Sequence, residues 1–473
     1  MKTLRYLFVI PIASFWFGYW GFFLAPDQHQ SALPIDSGKA ILYKKIEIPA
    51  EFLQSSDSLT FGGDIRMGNL TGNGQVDFLV YRSEDDAHDG GGMKPCFWGA
   101  FSQEGEALWQ RGQGGLQPSR PGPVAIIDID QDGASEVVTF AHQPGIKAPS
   151  GSLKDVEILI MDGATGDIEL RAKPAIFSQI QGEGANWVHQ RILIANLRGL
   201  ASPQDFVIKT GTQVLAFDNE LNLLWSYRNE WKEYSRVPAY VPAVGDVDGD
   251  GKDEVNGGYY LLNDDGEVLW EEMLGRHMDA VVVDYWDHPA KKRAFASGFG
   301  HILDEQGHII LKLGEKVVPH GQELRVADFD DEVPGPEMII RYNGHHPDVM
   351  LVSQKGEVLR RFRLNESPNN TGMEAVYWHG ADRAAMLYNG GQLWNGRGKS
   401  VITFKELPPP RGSKRQGWYH CIPANVCGDK REEVVLYNPW DTAVYIYTPA
   451  PFNENSFTGY VSQPRQYNVR LMD

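Results

Sequence analysis

Cysteine is scarce. Cys96, Cys421 and Cys427 are the three in 473 residues, too few for a disulfide-built scaffold and too scattered for a zinc cluster. Cys421 and Cys427 could pair, and two thiols in or near strands are the equal alternative. Positive charge is short as well: 44 Lys and Arg stand against 62 Asp and Glu, a formal net charge of −18. That excludes a generic nucleic-acid binder, which needs a basic face, and any polyanionic partner must meet a locally positive cleft. With 51 glycines and 28 prolines, long helices are the wrong expectation and many short strands with turns the right one. An apolar content of 42% excludes global disorder.

One long uncharged stretch, Tyr6 to Ala25, follows Lys2 and Arg5. It is long enough to span a bilayer and reads as an export signal. Ala25 precedes Pro26, a poor cleavage site, and a cut after Ala32 is the alternative. Residues 1–26 are therefore expected to be a signal peptide or an uncleaved N-terminal anchor through residues 6–25, and residues 27–37 a polar tether. The chain is expected outside the cytoplasm: secreted, periplasmic or anchored at the cell envelope.

A repeat runs through the rest: a short apolar strand, an acidic or amide residue, a Gly-containing turn, a further carboxylate, another strand. The best copy is Ala243 to Val255, with Asp246, Asp248, Asp250 and Glu254. Ile127–Val138 and Gly68–Val80 are further copies, and weaker ones begin near 196, 284, 328, 377 and 425. Their spacing suits one four-stranded propeller blade each. Most copies are followed by a turn and an apolar strand, as in Asp265-Gly266-Glu267-Val268-Leu269-Trp270, a hairpin signature. The fold class is thus all-β, a single β-propeller of seven or eight blades over residues 38–473. The repeat count favours eight, and Lys39 to Pro49 could supply a closing strand. Trp109, Trp225 and Trp270 read as blade core, while Trp231, Trp418 and Trp440 are the better candidates for stacking on sugar rings.

Closely spaced aspartates with Gly between them can wrap a hard cation, so Asp246, Asp248, Asp250 and Glu254 are candidate Ca²⁺ ligands in a structural site, followed by Asp128, Asp130, Asp132 and Glu136. The alternative is that these carboxylates only cap their turns through backbone hydrogen bonds. No organic cofactor is expected.

The ordered series Ala195-Asn196-Leu197-Arg198-Gly199, Phe217 to Trp225, the Asp246 repeat, Gly257-Gly258-Tyr259-Tyr260 and Leu274-Gly275-Arg276-His277-Met278-Asp279 resembles the propeller polysaccharide lyases, the ulvan and rhamnogalacturonan lyases. The likeness is strongest over residues 185–350. It implies β-elimination in an acidic, uronate-containing polysaccharide, leaving unsaturated uronyl ends. The ulvan group is preferred for the His, Tyr and Arg content of the cleft; rhamnogalacturonan lyase is the alternative, favoured by eight repeats and by Lys209, where the ulvan group leads one to look for histidine. Such chemistry needs a cation to neutralise the uronate carboxylate, a base for the C5 proton and an acid for the leaving oxygen.

The resemblance implies Tyr259 as base and acid, His189 as its partner or an alternative base, and Arg276 as carboxylate neutraliser, with His277 in support. Lys209, Tyr260, His320, Arg341 and His345 are candidates for binding substrate. Equivalent positions of successive blades converge at one end of a propeller, which makes the set geometrically coherent. Tyr259 and Tyr260 compete, since neighbouring strand residues face opposite ways. Local positive charge would have to come from Lys209, Arg236, Arg276, Arg325 and Arg341. A monomer with an anionic polysaccharide substrate and no nucleic-acid partner is expected. The rival class is a non-catalytic glycan- or protein-binding propeller with integrin-type repeats; a quinone-dependent dehydrogenase propeller lacks support, because no cofactor-stacking repeats stand out.

Overall fold

The third repeat shows why each unit becomes a sheet. Arg191–Ala195 and Asp205–Thr210 are buried along their whole length, Gln213–Phe217 nearly so, and Leu223–Arg228 is mostly exposed. The near-continuous apolar runs of the first three can only be satisfied between neighbouring sheets, whereas the fourth tolerates water on its outer edge. The four pair antiparallel in sequence order. Each fully buried Ile, Leu, Val or Phe contributes roughly 1.5–3 kcal/mol, so packing between units dominates the stability.

This computed structural model describes residues 39–56, 58–84, 94–116, 122–142, 153–180, 191–231, 237–411, 417–452, 457–463 and 468. The expected signal or anchor and the polar tether lie outside the described residues; among these, no helix is long and apolar enough to cross a membrane. The described strands make eight four-stranded sheets and one small hairpin, Gln54–Ser56 with Leu59–Phe61. The chain is an eight-bladed β-propeller. The first strands of the blades are Asp64–Gly68, Val124–Ile127, Arg191–Ala195, Ala243–Gly245, Val281–Tyr285, Leu324–Ala327, Glu374–Val376 and His420–Ala424, and from the first to the eighth blade consecutive ones pack side by side around the axis.

The ring closes as the alternation near the N-terminus suggested. Ala40–Glu47 pairs antiparallel with Ala443–Pro449 and forms the outer strand of the eighth blade. Ile46, Ile48 and Phe52 then share one core with Ile65, Phe78 and Val80 of the first blade and Ile422, Val435 and Ile446 of the eighth. Tyr437 Oη adds a hydrogen bond to Asp64 Oδ1 at 2.8 Å across the same seam. No disulfide joins Cys421 and Cys427.

The Leu-Trp hairpins staple blades together. Trp109 Nε1 donates to Gly163 O at 2.7 Å, Trp225 Nε1 to Asp264 O at 2.7 Å and Trp270 Nε1 to Asp304 O at 3.2 Å, each acceptor lying in the hairpin turn of the next blade. In that turn the glycine must be glycine: Gly266 has φ +79°, and a Cβ on it would sit 2.5 Å from the Trp225 ring. These tryptophans are seam residues between blades more than interior core.

A regular antiparallel blade divides the loops between two faces. The acidic turns and the hairpins between third and fourth strands lie on one face; the connections between blades and the hairpins between second and third strands lie on the other.

Candidate active site

Arg276, His277 and Asp279 sit in the connection from the fourth blade to Val281–Tyr285, and His320 and Gln322 in the connection from the fifth blade to Leu324–Ala327. Tyr259 and His345 belong to second-to-third-strand hairpins, and Lys209 and Arg341 end second strands. All therefore lie at the same face. His189 and Arg236 lie outside the described residues.

At this face His277 and His320 meet over one carboxylate oxygen. Asp279 Oδ2 is 3.0 Å from His277 Nε2 and 3.3 Å from His320 Nε2. The two Nε2 atoms are 3.0 Å apart and the rings nearly perpendicular, at 89°. Gln322 Nε2 donates to Asp279 Oδ2 at 2.6 Å and lies 3.0 Å from His320 Nε2. Burial alone would raise the Asp279 carboxyl, but hydrogen bonds from both histidines, and their charge when protonated, outweigh it and hold the pKa at about 2.

Local backbone bonds set this geometry. His320 N donates to Tyr342 O and Gly344 N to His320 O, so the sixth-blade hairpin buttresses His320 and brings the exposed His345 ring within 6.2 Å of it. Arg276, one residue before His277, has no carboxylate partner among the described residues, and its Nε is buried without a hydrogen bond. A neutral imidazole pair can place only one N–H between two facing nitrogens, so two such nitrogens beside a carboxylate oxygen fit a cation accepting lone pairs. His277, Asp279 and His320 have the spacing of a metal-binding group. A half-turn of the Gln322 amide would exchange its nitrogen for its oxygen, a fourth donor.

Several expected site residues serve the scaffold instead. Tyr259 is fully buried, edge-on to Trp231, and its hydroxyl donates to the carbonyl of Arg276 at 2.5 Å; it is not presented to the opening as base or acid but holds the backbone that carries Arg276 and His277. Tyr260 points the other way into the seam with Tyr227, and burial pushes its phenol pKa up. Lys209 is buried with Nζ donating to Gly211 O at 2.9 Å, and desolvation lowers it to about 7. Arg341 is enclosed, ion-paired with Glu323 at 3.0 Å and donating to His346 O and Asn369; it braces the His345 hairpin against the strand entering the sixth blade. Arg325 is spent on a two-pronged pair with Glu374. The expected arginine-rich funnel is therefore not built from Arg325 and Arg341, whereas Arg276 has no carboxylate partner among the described residues. Trp231 and Trp440 are packed, against Tyr259 and Phe61 respectively.

Asp279 and Gln322 were not expected. A signal existed: both histidines stand four positions before a first strand, Val281 or Leu324, and each is followed two residues later by a polar side chain, in His277-Met278-Asp279 and His320-Gly321-Gln322. In extended backbone, residues two apart share a side.

The best acidic turn is on the opposite face. Asp246 accepts from Gly249 N and Gly251 N, Asp248 from Asp250 N and Asp250 from Lys252 N. Asp246, Asp248 and Asp250 still converge as a group that could hold an ion, as do Asp128, Asp130 and Glu136. Glu254 stands outside the Asp246 group: its Oε2 accepts from Val247 N at 2.6 Å and Asp248 N at 3.3 Å. The acid opening the second strand plays this capping part in blade after blade, with Asp77 bonded to Thr71 N, Asp205 to Arg198 N, Glu337 to Phe329 N and Glu433 to Val426 N.

Propellers are shared by many activities, so the ring alone defines a class of scaffold, here one with a histidine-carboxylate site at a single face. Residues 208–471 match the family of rhamnogalacturonan lyase family 11, C-terminal domain. The chain belongs to that family, and is a polysaccharide lyase. It is 25% identical over 450 residues to the rhamnogalacturonan endolyase YesW of Bacillus subtilis (strain 168), covering 83% of this chain and 68% of that one. The crystal structure of YesW superposes with a TM-score of 0.65 at 19% identity, over 86% of this chain and 75% of that one. A Bacillus licheniformis rhamnogalacturonan lyase does so at 0.65 and 20%, over 88% and 76%. The preference for the ulvan group gives way to the alternative that eight repeats and Lys209 had favoured.

Proposed function

We propose that the chain cleaves rhamnogalacturonan by β-elimination at a uronate residue, and that the reaction occurs at the histidine face. The convergence of His277, Asp279, His320 and Gln322 beside an Arg276 that has no carboxylate partner among the described residues is the observation that carries this reading. The proton at C5 is abstracted, its electron pair forms the C4–C5 double bond, the C4–O bond breaks, and the departing oxygen takes up a proton. Arg276 binds the uronate carboxylate. A divalent cation on His277, Asp279, His320 and the Gln322 oxygen would supply further charge neutralisation there. His345, exposed beside His320, accepts the C5 proton. Tyr259 acts by fixing the Arg276 carbonyl.

Calcium at Asp246, Asp248 and Asp250 has a structural role, holding an acidic turn whose carboxylates otherwise repel one another. The enzyme works outside the cytoplasm as a monomer, with residues 6–25 as its export signal or anchor.

The test offers purified protein rhamnogalacturonan and, separately, ulvan, following ultraviolet absorbance of unsaturated ends before and after chelation. Absorbance should rise with rhamnogalacturonan alone, fall on chelation, and be lost in Asp279→Asn. No rise with either polymer sinks the lyase reading in favour of a binding propeller; activity untouched by chelation and by Asp279→Asn removes the cation from the site.

A further inference from the structure

Residues 458–461 bond to the acidic turns at one face of the ring. Thr458 N donates to Cys427 O at 3.1 Å, Tyr460 N to Gly74 O at 2.8 Å and Val461 N to Asn425 O at 3.0 Å, while Thr458 Oγ1 donates to Gly428 O at 2.9 Å. These partners belong to the acidic turns of the eighth and first blades. The fit is close: a Cβ on Gly428 would lie 2.0 Å from Thr458 Oγ1, and one on Gly459 would lie 2.9 Å from the Gly74 carbonyl.

Asn468 then bonds to the third blade. Its Oδ1 accepts from Ile194 N at 2.9 Å and its Nδ2 donates to Ile194 O at 3.0 Å. Ile194 lies in a first strand, near the end that leads into the acidic turn. In an antiparallel ladder a residue sends its N–H and C=O to the same side, so both groups of Ile194 point away from the second strand, toward the axis. The inner edge of such a strand has backbone groups that the sheet leaves unmatched. One amide side chain carries the donor and acceptor that match them.

We propose that the C-terminal segment straps the ring, anchored by Thr458, Tyr460 and Val461 on the turns of the eighth and first blades and latched to the third blade by Asn468. The ring is then held by two devices: the N-terminal strand that completes the eighth blade, and this tie, which joins blades that do not touch each other. This tie does not depend on the lyase reading.

The test is hydrogen exchange resolved to single amides on the full chain. In Asn468→Ala the Ile194 amide should exchange roughly tenfold faster, the loss of about one net hydrogen bond, while Leu193, whose amide faces the second strand, should not change. Asn468→Asp keeps the acceptor and should leave Ile194 protected. Removal of residues 464–473 should reproduce the Asn468→Ala pattern and lower the unfolding midpoint. Ile194 exchange equal in wild type and Asn468→Ala overturns the strap, and so does an equal acceleration of Ile194 and Leu193, which would report general loosening.

Discussion

Gly266→Ala probes the seam between the third and fourth blades. The glycine has φ +79° and a Cβ there would lie 2.5 Å from Trp225 Cδ2. Alanine in this left-handed conformation costs about 1 kcal/mol. The ring must also move, weakening the 2.7 Å hydrogen bond from Trp225 Nε1 to Asp264 O, a further ~0.5–1.5 kcal/mol. Loss of ring contact brings the expected destabilisation to about 2–3 kcal/mol. Denaturant unfolding at fixed calcium measures it, with Trp225→Ala and the double variant completing a cycle. The double variant should be less destabilised than the sum of the two, because the clash disappears with the ring. Gly166→Ala against Trp109, also at 2.5 Å, should match it, and Gly307→Ala against Trp270, at 3.0 Å, should cost less. An unchanged Gly266→Ala, or strict additivity in the cycle, would refute the staple.

Two further outcomes are expected. Burial raises the Glu433 carboxyl from 4.5 to about 7 despite hydrogen bonds from Thr448, Cys427 and Val426. The folded state then holds this proton more tightly than the unfolded one, so the associated stability is full below pH ~4.5 and is lost as pH rises through about 7, on the order of 3 kcal/mol in all. Glu433→Gln should flatten that slope in pH-dependent unfolding, and an unaltered slope would show that the carboxyl ionises as freely as in water. Tyr259→Phe removes the bond to the Arg276 carbonyl, and should lower stability by ~1–2 kcal/mol while leaving unsaturated-end formation within about tenfold of wild type; a loss of a thousandfold or more would restore Tyr259 as the base.

The architecture was legible because its signals are local. A turn needing Asp and Gly, an apolar run of four to six residues and a hairpin glycine each leave a mark within a dozen positions, and eight such units imply the ring and even its closing strand. The capping acids were legible too, but only as carboxylates. Glu254 turns inward to backbone N–H groups and Asp246, Asp248 and Asp250 outward, a difference of side-chain direction that spacing alone does not carry.

The site was legible as a neighbourhood and not as a set of roles. Residues 276–279, 320–322 and 345 do gather at one face, since topology sends the connections between blades and the second-to-third-strand hairpins there. Which side chains reach the opening depends on burial and on partners distant in the chain. Tyr259 looked free and is tied to Arg276; Arg341 looked cationic and is matched by Glu323, eighteen positions away; Asp279, plain in sequence, stands between two histidines 43 residues apart. The sequence by itself determined the blades and favoured eight of them over seven, because strand period and turn chemistry act over short range. Only the tertiary structure decided which charges are neutralised, which imidazoles meet and where the C-terminal segment returns, because those depend on distances between residues that chain separation does not constrain.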